Sequence, residues 1–417
     1  MFSAPGFRSV PQTGVIYVVQ QASLHGYTSE DPSWVNLGQG APETAAILDA
    51  PPRIAHIDIP ESAHEYSSVS GDIILRKKIA ELYNTLYRQN KTTQYTHENV
   101  SISGGGRIAL ARIAASLGNI NMGHFIPDYT AYEELLSIFK AFIPIPLLLD
   151  PILQYHMPIE SLEQHILGLG LKALLISNPC NPTGQVIQGE TLREWTQLAG
   201  KFACSLIIDE FYSHYIYSDN HAFTAPVSAA AYIEDVNRDP IIIVDGLTKN
   251  WRYPGWRISW TIAPKTIINT ITSAGSFLDG GANHAIQLKT LELLEPAYVL
   301  QDTQALQACF RKKRAYTLDR LRHMGICVEA EPQGTFYIWA NLKNLPPPLN
   351  NGISFFEAAL KEKVIVVPGI FFDVNPEKRR SRARFESYVR ISFGPELEKL
   401  TLGLDNLERM IQKHLLA

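Results

Sequence analysis

Cysteine is scarce. Four thiols, Cys180, Cys204, Cys309 and Cys327, are spread far apart over 417 residues and show no metal-ligand spacing. Core or free thiols in a reducing compartment are therefore expected, with no metal centre. No apolar run approaches the roughly 20 residues that span a bilayer. Met1 to Val10 also lacks a charged segment followed by an apolar one, so a cytoplasmic protein without a membrane partner is expected. Neither sign of charge dominates: 37 Lys and Arg face 41 Asp and Glu, a net charge of −4. That balance gives no reason to expect nucleic acid as a partner. Internal repeats and low-complexity tracts are missing. What remains is ordinary globular composition, 46% hydrophobic and 19% charged, in a chain long enough for two domains and a large core.

The segment from Asp245 to Arg257 organises the rest. Ile241 to Val244 is β-branched and too short for a helix, which reads as a buried parallel strand with Lys249 just past its end. That edge of an open α/β sheet is where ligands bind. Arg257 follows beyond the Pro254-Gly255 turn. A nearby cation and partial burial lower a lysine's pKa and make it nucleophilic. Taken alone, the segment also reads as a surface lysine in a basic loop.

Four other short strands run into turns that carry chemistry. Val100 to Ser103 leads into Gly104-Gly105-Gly106 and a helix through Ile108, Ala111 and Leu117. Small residues there free N–H groups at a helix N-terminus, where donors and dipole suit a phosphate. The run lacks the Lys-Ser/Thr of a P-loop and the spacing of a dinucleotide fingerprint, and a tight turn without ligand is the alternative. Ala173 to Ser177 leads into the rigid turn Asn178-Pro179-Cys180-Asn181-Pro182-Thr183-Gly184, where Asn181 presents a short amide or closes an Asx turn. Ser205 to Ile208 places Asp209 at a strand end, with Tyr212 beyond it. A buried carboxylate needs a cation or donors, and a Mg²⁺ ligand or a helix N-cap would answer equally. Tyr129 follows the strand ending at Ile126, where an aromatic ring either stacks on a planar ligand or packs in the core.

Toward the N-terminus, a short helix is expected over Val15 to Leu24. Gly38 and Gly40, before Pro42, let the backbone pass close to something or form a plain loop. Tyr66 precedes the Gly71 turn and an amphipathic helix over Ile73 to Tyr87, with Arg76, Lys77 and Lys78 on its wet side. A further strand is expected over Ile258 to Ala263 and a helix over Ala285 to Leu294. A long helix through Leu306, Phe310, Leu318 and Leu321 precedes strands at Gly334 to Trp339 and Tyr388 to Phe393. Arg390 sits inside the last strand, where a buried guanidinium requires an anion and its planar fork suits a carboxylate. The cluster Lys378, Arg379, Arg380, Arg382 and Arg384 is expected in an exposed loop.

The order glycine turn, Tyr129, Asn181, Asp209, Tyr212, Lys249, Arg257 resembles the class I/II aminotransferases, fold-type I pyridoxal-phosphate (PLP) enzymes of the aspartate aminotransferase superfamily. The resemblance covers Val35 to Gly394. It implies an α/β fold, with a mainly parallel seven-stranded sheet in a large domain at 56–300. A smaller α+β domain at 301–417 would be joined by an N-terminal arm and segment at 1–55. It further implies a PLP cofactor held as a Schiff base by Lys249. Asp209 would face the pyridine nitrogen, Asn181 and Tyr212 the 3-oxygen, and Tyr129 the ring. Gly105, Gly106, Thr248 and Arg257 would hold the phosphate, joined by Tyr66 from the neighbouring subunit of a homodimer. Gly40 and Arg390 would receive the substrate carboxylate. The implied activity moves an amino group from an L-amino acid to a 2-keto acid, both small molecules.

Two departures stand out. Gly246 replaces the first serine of the lysine motif, and with it one phosphate hydrogen bond. Dicarboxylate-specific members carry an arginine near 276–284; here no arginine lies between Arg257 and Arg311, and Asp279 occupies the region. A substrate with a cationic side chain is the expectation, a solvated turn the alternative. The motifs do not separate transamination from β- or γ-elimination or cyclisation of an arginine-like amino acid, since the steps to the carbanion are shared. A non-catalytic PLP or amino-acid sensor is a further alternative, although such proteins usually carry a DNA-binding segment.

Overall fold

The computed structural model describes residues 14–218 and 223–416, together with Gly6, Phe7, Val10 and Gln12. Its strands, in chain order, are β1 (Val35–Asn36), β2 (Val100–Ser103), β3 (Asn121–Ile126), β4 (Ile143–Leu148), β5 (Leu171–Ser177) and β6 (Ser205–Asp209). They continue with β7 (Ile241–Gly246), β8 (Ser259–Ile262), β9 (Tyr337–Asn341), β10 (Val364–Ile365), β11 (Val367–Pro368) and β12 (Tyr388–Ser392). Seven form one sheet in the order β2-β8-β7-β6-β5-β3-β4. Only β8 runs antiparallel to its neighbours β2 and β7; the remaining pairs are parallel. The fold is thus α/β with a mainly parallel seven-stranded sheet.

The central strands explain themselves by composition. β6 and β7 are nearly continuous Ile, Leu and Val and are buried along almost their whole length, as strands covered on both faces must be. Each fully buried aliphatic side chain contributes about 1.5–3 kcal/mol. Their registers place Asp209 beside Ser177 on one side and Val244 on the other. The C-terminal ends of β5, β6 and β7 therefore form one level edge, and the loops bearing Asn181, Tyr212 and Lys249 all leave from it. β7 runs two residues past the expected end, through Asp245 and Gly246.

The helix Ile73–Tyr87 has the expected bounds, and the Asp72 carboxylate caps it by accepting from Ile74 N and Leu75 N. The helix expected over Ala285 to Leu294 is shorter, His284–Thr290, and tightens into a 3₁₀ turn at Leu291–Leu293. β9 begins at Tyr337 rather than Gly334, which makes only a single bridge, to Ile216. A second, antiparallel sheet has the order β11-β12-β9, and β1 pairs in parallel with β10. Arg390 lies at the centre of β12, flanked by Val367 and Trp339. Within the basic loop, Lys378 pairs with Glu133, Arg379 with Glu377 and Arg380 with Asp373. Arg380 is half-buried, where the sequence suggested exposure. Among the described residues, no helix is long and apolar enough to cross a membrane.

Candidate active site

A cavity of about 360 Å³ opens at the C-terminal edge of β5, β6 and β7, and its wall includes Gly106, Tyr129, Asn181, Asp209, Tyr212, Thr248, Lys249 and Arg257. That volume suits a cofactor-sized ligand. Residues separated by up to about 150 positions converge because each follows a strand that ends on the same edge.

Lys249 stands three residues beyond β7, half-buried, and its amine donates to the Gly40 carbonyl. Burial, followed by the Arg390, Arg257 and Arg107 guanidiniums, pulls its pKa down from 10.5 to about 7, while Asp209 opposes the shift. A nucleophilic neutral amine is thus present near neutrality. The adjoining backbone is pinned: Tyr215 Oη donates to Lys249 O at 3.1 Å, and Asn250 Nδ2 donates to Asp245 Oδ1 at 2.8 Å and Glu210 O at 3.0 Å.

Asp209 closes the floor, 6% exposed. Burial raises its carboxyl to about 6, against a hydrogen bond at 2.8 Å from the Tyr132 phenol. Beside it, Asn181 Oδ1 accepts from Arg390 at 2.9 Å. This contact orients the amide and leaves Nδ2 to donate into the cavity. Arg390 also donates to Gly38 O at 2.7 Å and lies 4.1 Å from the Tyr337 ring centroid. The anion its burial calls for is absent from the described residues, and its Nε has no partner.

The glycine turn forms a cradle. Gly105 has φ 97°, and a Cβ there would sit 2.0 Å from an Arg257 nitrogen; a Cβ on Gly106 would sit 2.5 Å from the Phe211 ring. Only glycine admits the approach of Arg257 to this helix N-terminus. Arg257 donates to Pro254 O at 3.1 Å and to no carboxylate among the described residues. Gly246 also has a steric cause: a Cβ would lie 2.5 Å from Ser259 Cα and 2.6 Å from Ile258 O, so the adjacent strand β8 excludes the serine.

Five expected residues lie outside this cavity's wall: Gly40, Gly105 and Arg390, which contact Lys249, Arg257 and Asn181 on it, and Tyr66 and Asp279. Tyr66 is 99% exposed. Asp279 corrects the expectation of a free anion for a cationic substrate: its two oxygens accept from Arg112 Nε and a terminal nitrogen, each at 2.8 Å. Its charge is already matched.

Four residues escaped the sequence reading. Arg107, exposed on the wall, donates to Tyr129 Oη at 3.2 and 3.3 Å; its place directly after Gly106 was the available signal. Asp128, raised to about 8 by burial, accepts from Tyr129 N at 2.7 Å and from the Ser177 hydroxyl, so it locks the loop under Tyr129. Tyr132 and Tyr337 gave no signal beyond apolar patterning.

The unsatisfied groups describe their ligand. Three guanidiniums without carboxylates, Arg107, Arg257 and Arg390, and a helix N-terminus call for anions, while a buried carboxylate without a protein cation calls for a protonated ring nitrogen. A lysine amine stands between them. These residues fit PLP, and fold and site together define a fold-type I PLP-dependent enzyme.

A model of the family described as aminotransferase class I and II matches residues 32–407. The chain is 26% identical over 395 residues to an aspartate aminotransferase of Pyrococcus horikoshii, covering 91% of this chain and 90% of that one. It is 27% identical over 359 residues to a (5-formylfuran-3-yl)methyl phosphate transaminase of Methanocaldococcus jannaschii, covering 85% of each. Among solved structures, a single mutant of aspartate aminotransferase of Thermus thermophilus superposes with a TM-score of 0.77 at 22% identity, covering 96% of this chain and 97% of that one; this likeness bears on the fold. The protein belongs to the class I and II aminotransferase family and is a PLP-dependent aminotransferase acting on amino and keto acids.

Proposed function

We propose that the protein is a cytoplasmic homodimer that takes its amino group from an L-amino acid with an anionic side chain, with Lys249 holding PLP as a Schiff base. The observation that carries this reading is the charge of the cavity. Lys249 is neutral near pH 7, and the phosphate and the α-carboxylate would match Arg257 and Arg390; Arg107 is left on the wall with no carboxylate partner among the described residues. When bound, PLP supplies an electron-withdrawing ring that takes up the electron pair left at the substrate's α carbon.

The chain's own residues do the rest. Arg390, held by Asn181 and Gly38, grips the α-carboxylate and fixes which substrate bond faces Lys249. Once the substrate's amino group has replaced it on the cofactor, Lys249 would be a free amine, and with its pKa near 7 it would take the α-proton as a neutral amine and return it as an ammonium. Asp209 keeps the ring nitrogen protonated, Tyr212 and Asn181 donate to the 3-oxygen, and Tyr129 covers one face of the ring. Arg257, Thr248 and the N–H of Gly106 hold the phosphate against Gly105, whose own N–H donates to Ser103 O at 2.8 Å, aided by Tyr66 from the neighbouring subunit. Arg107, whose guanidinium donates to the Tyr129 phenol and to no carboxylate among the described residues, receives the anionic side chain. The name of the Pyrococcus horikoshii relative agrees with an acidic donor. Free thiols at all four cysteines agree with a reducing compartment.

The test compares kcat/KM for aspartate, leucine and arginine as amino donors in the native enzyme and in Arg107→Met. Aspartate should lead, and the substitution should lower its kcat/KM about 10- to 100-fold while sparing leucine, the size of one lost charged hydrogen bond. Arginine as the preferred donor would overturn the substrate class.

A further inference from the structure

We propose that Tyr337 is a positioning residue that acts through Tyr212, donating its phenolic proton to the Tyr212 oxygen and so turning the Tyr212 proton into the cavity. The two oxygens lie 3.0 Å apart, and either could be the donor on distance alone. Their surroundings decide the direction. Tyr337 opens β9 with no solvent exposure. Its ring lies under the Arg390 guanidinium, and the Tyr212 hydroxyl is its hydroxyl's one hydrogen-bond partner among the described residues. Tyr212 is on the cavity wall and faces ligand space.

A phenol carries one proton and two lone pairs. Were Tyr212 the donor, the Tyr337 proton, beside Gly40, would have no hydrogen-bond acceptor among the described residues, and an unsatisfied buried donor is costly. With Tyr337 as donor, both protons are used: one fills a Tyr212 lone pair, and the other is directed to whatever oxygen occupies the cavity. Burial holds both phenols above their ordinary range, so both keep their protons in the working pH range. A donor that is itself hydrogen-bonded is a stronger donor. In the reading given above, on which this inference rests, the oxygen addressed is the 3-oxygen of PLP. A hydrogen bond there stabilises its anionic form and eases proton loss from the nitrogen that links Lys249 to the cofactor.

The measurement is the pH titration of the PLP absorbance of the purified holoenzyme without substrate, in the native protein, Tyr337→Phe, Tyr212→Phe and the double variant. Phenylalanine keeps the ring beneath Arg390, and thermal midpoints report the folding of each variant. Tyr212→Phe should raise the titration midpoint most. Tyr337→Phe should raise it by a smaller amount, about 0.3 pH unit, from the loss of cooperative strengthening. The double variant should match Tyr212→Phe, because Tyr337 acts only through Tyr212. A midpoint that moves in Tyr212→Phe and stays put in Tyr337→Phe overturns this inference alone, as does an additive double variant. A protein that takes up no PLP, or a midpoint indifferent to both phenols, overturns the reading of the site and this inference with it.

Discussion

Arg112 grips Asp279 side on, its Nε and one terminal nitrogen each reaching a different carboxylate oxygen at 2.8 Å. Arg112 is wholly buried. Its third nitrogen donates to Val69 O at 3.1 Å and Ile102 O at 3.0 Å. It passes Gly275, where a Cβ would come within 2.6 Å of the guanidinium. One ion pair therefore joins the Tyr66–Gly71 loop, strand β2 and the end of the helix Lys265–Leu278. It braces the frame around the cavity.

Removing Asp279 leaves a buried guanidinium without its anion. Asp279→Ala should lower stability by about 3–5 kcal/mol, read as a shift of the urea midpoint at unchanged slope, while the ranking of amino donors stays as in the native enzyme. A variant of native stability that loses discrimination among donors would return Asp279 to the substrate.

Lys249→Ala should abolish covalent attachment of PLP, seen by mass after borohydride reduction, and lower turnover at least about 10³-fold. The depressed pKa gives a second readout with a definite sign. The amine must be neutral to attack PLP, so the rate of PLP capture by the cofactor-free protein should be flat above about pH 8. It should fall about tenfold per unit below pH 7, in line with a pKa of about 7. An unperturbed lysine, at 10.5, would still be gaining rate at pH 9.

Much of this site was legible because its chemistry is local. Asn181, Asp209 and Lys249 each lie at or just past a strand end, and short β-branched runs mark those ends without a partner in view. Direction within the sheet was less legible: β8 is apolar like its neighbours, and composition does not distinguish an antiparallel strand from a parallel one. Pairings across the chain were hidden. Asp279 is 167 residues from Arg112, and Tyr212 is 125 from Tyr337, so nothing in either local pattern points to the other. The glycine at 246 looked like a lost phosphate ligand, yet the close backbone of β8 is what demands it.

Tyr66 poses the question of which site it serves. Its ring is 99% exposed in the single chain, and its segment is held out rigidly, with Gln287 Nε2 donating to Ser67 Oγ at 2.8 Å and Asp72 N donating to Gln287 Oε1 at 2.7 Å. An exposed aromatic on a fixed loop is suited to a partner's surface. If Tyr66 completes the neighbour's cavity, then a dimer assembled from one Tyr66→Ala chain and one Lys249→Ala chain contains one site with both native residues and one with neither. Such a mixed dimer, isolated by two different affinity tags, should recover about half the native activity although each parent is impaired. If Tyr66 serves its own chain, every site in the mixed dimer carries one lesion, and no recovery should be seen. The comparison is internal, because both arrangements contain the same two substitutions and differ only in which cavity receives the tyrosine.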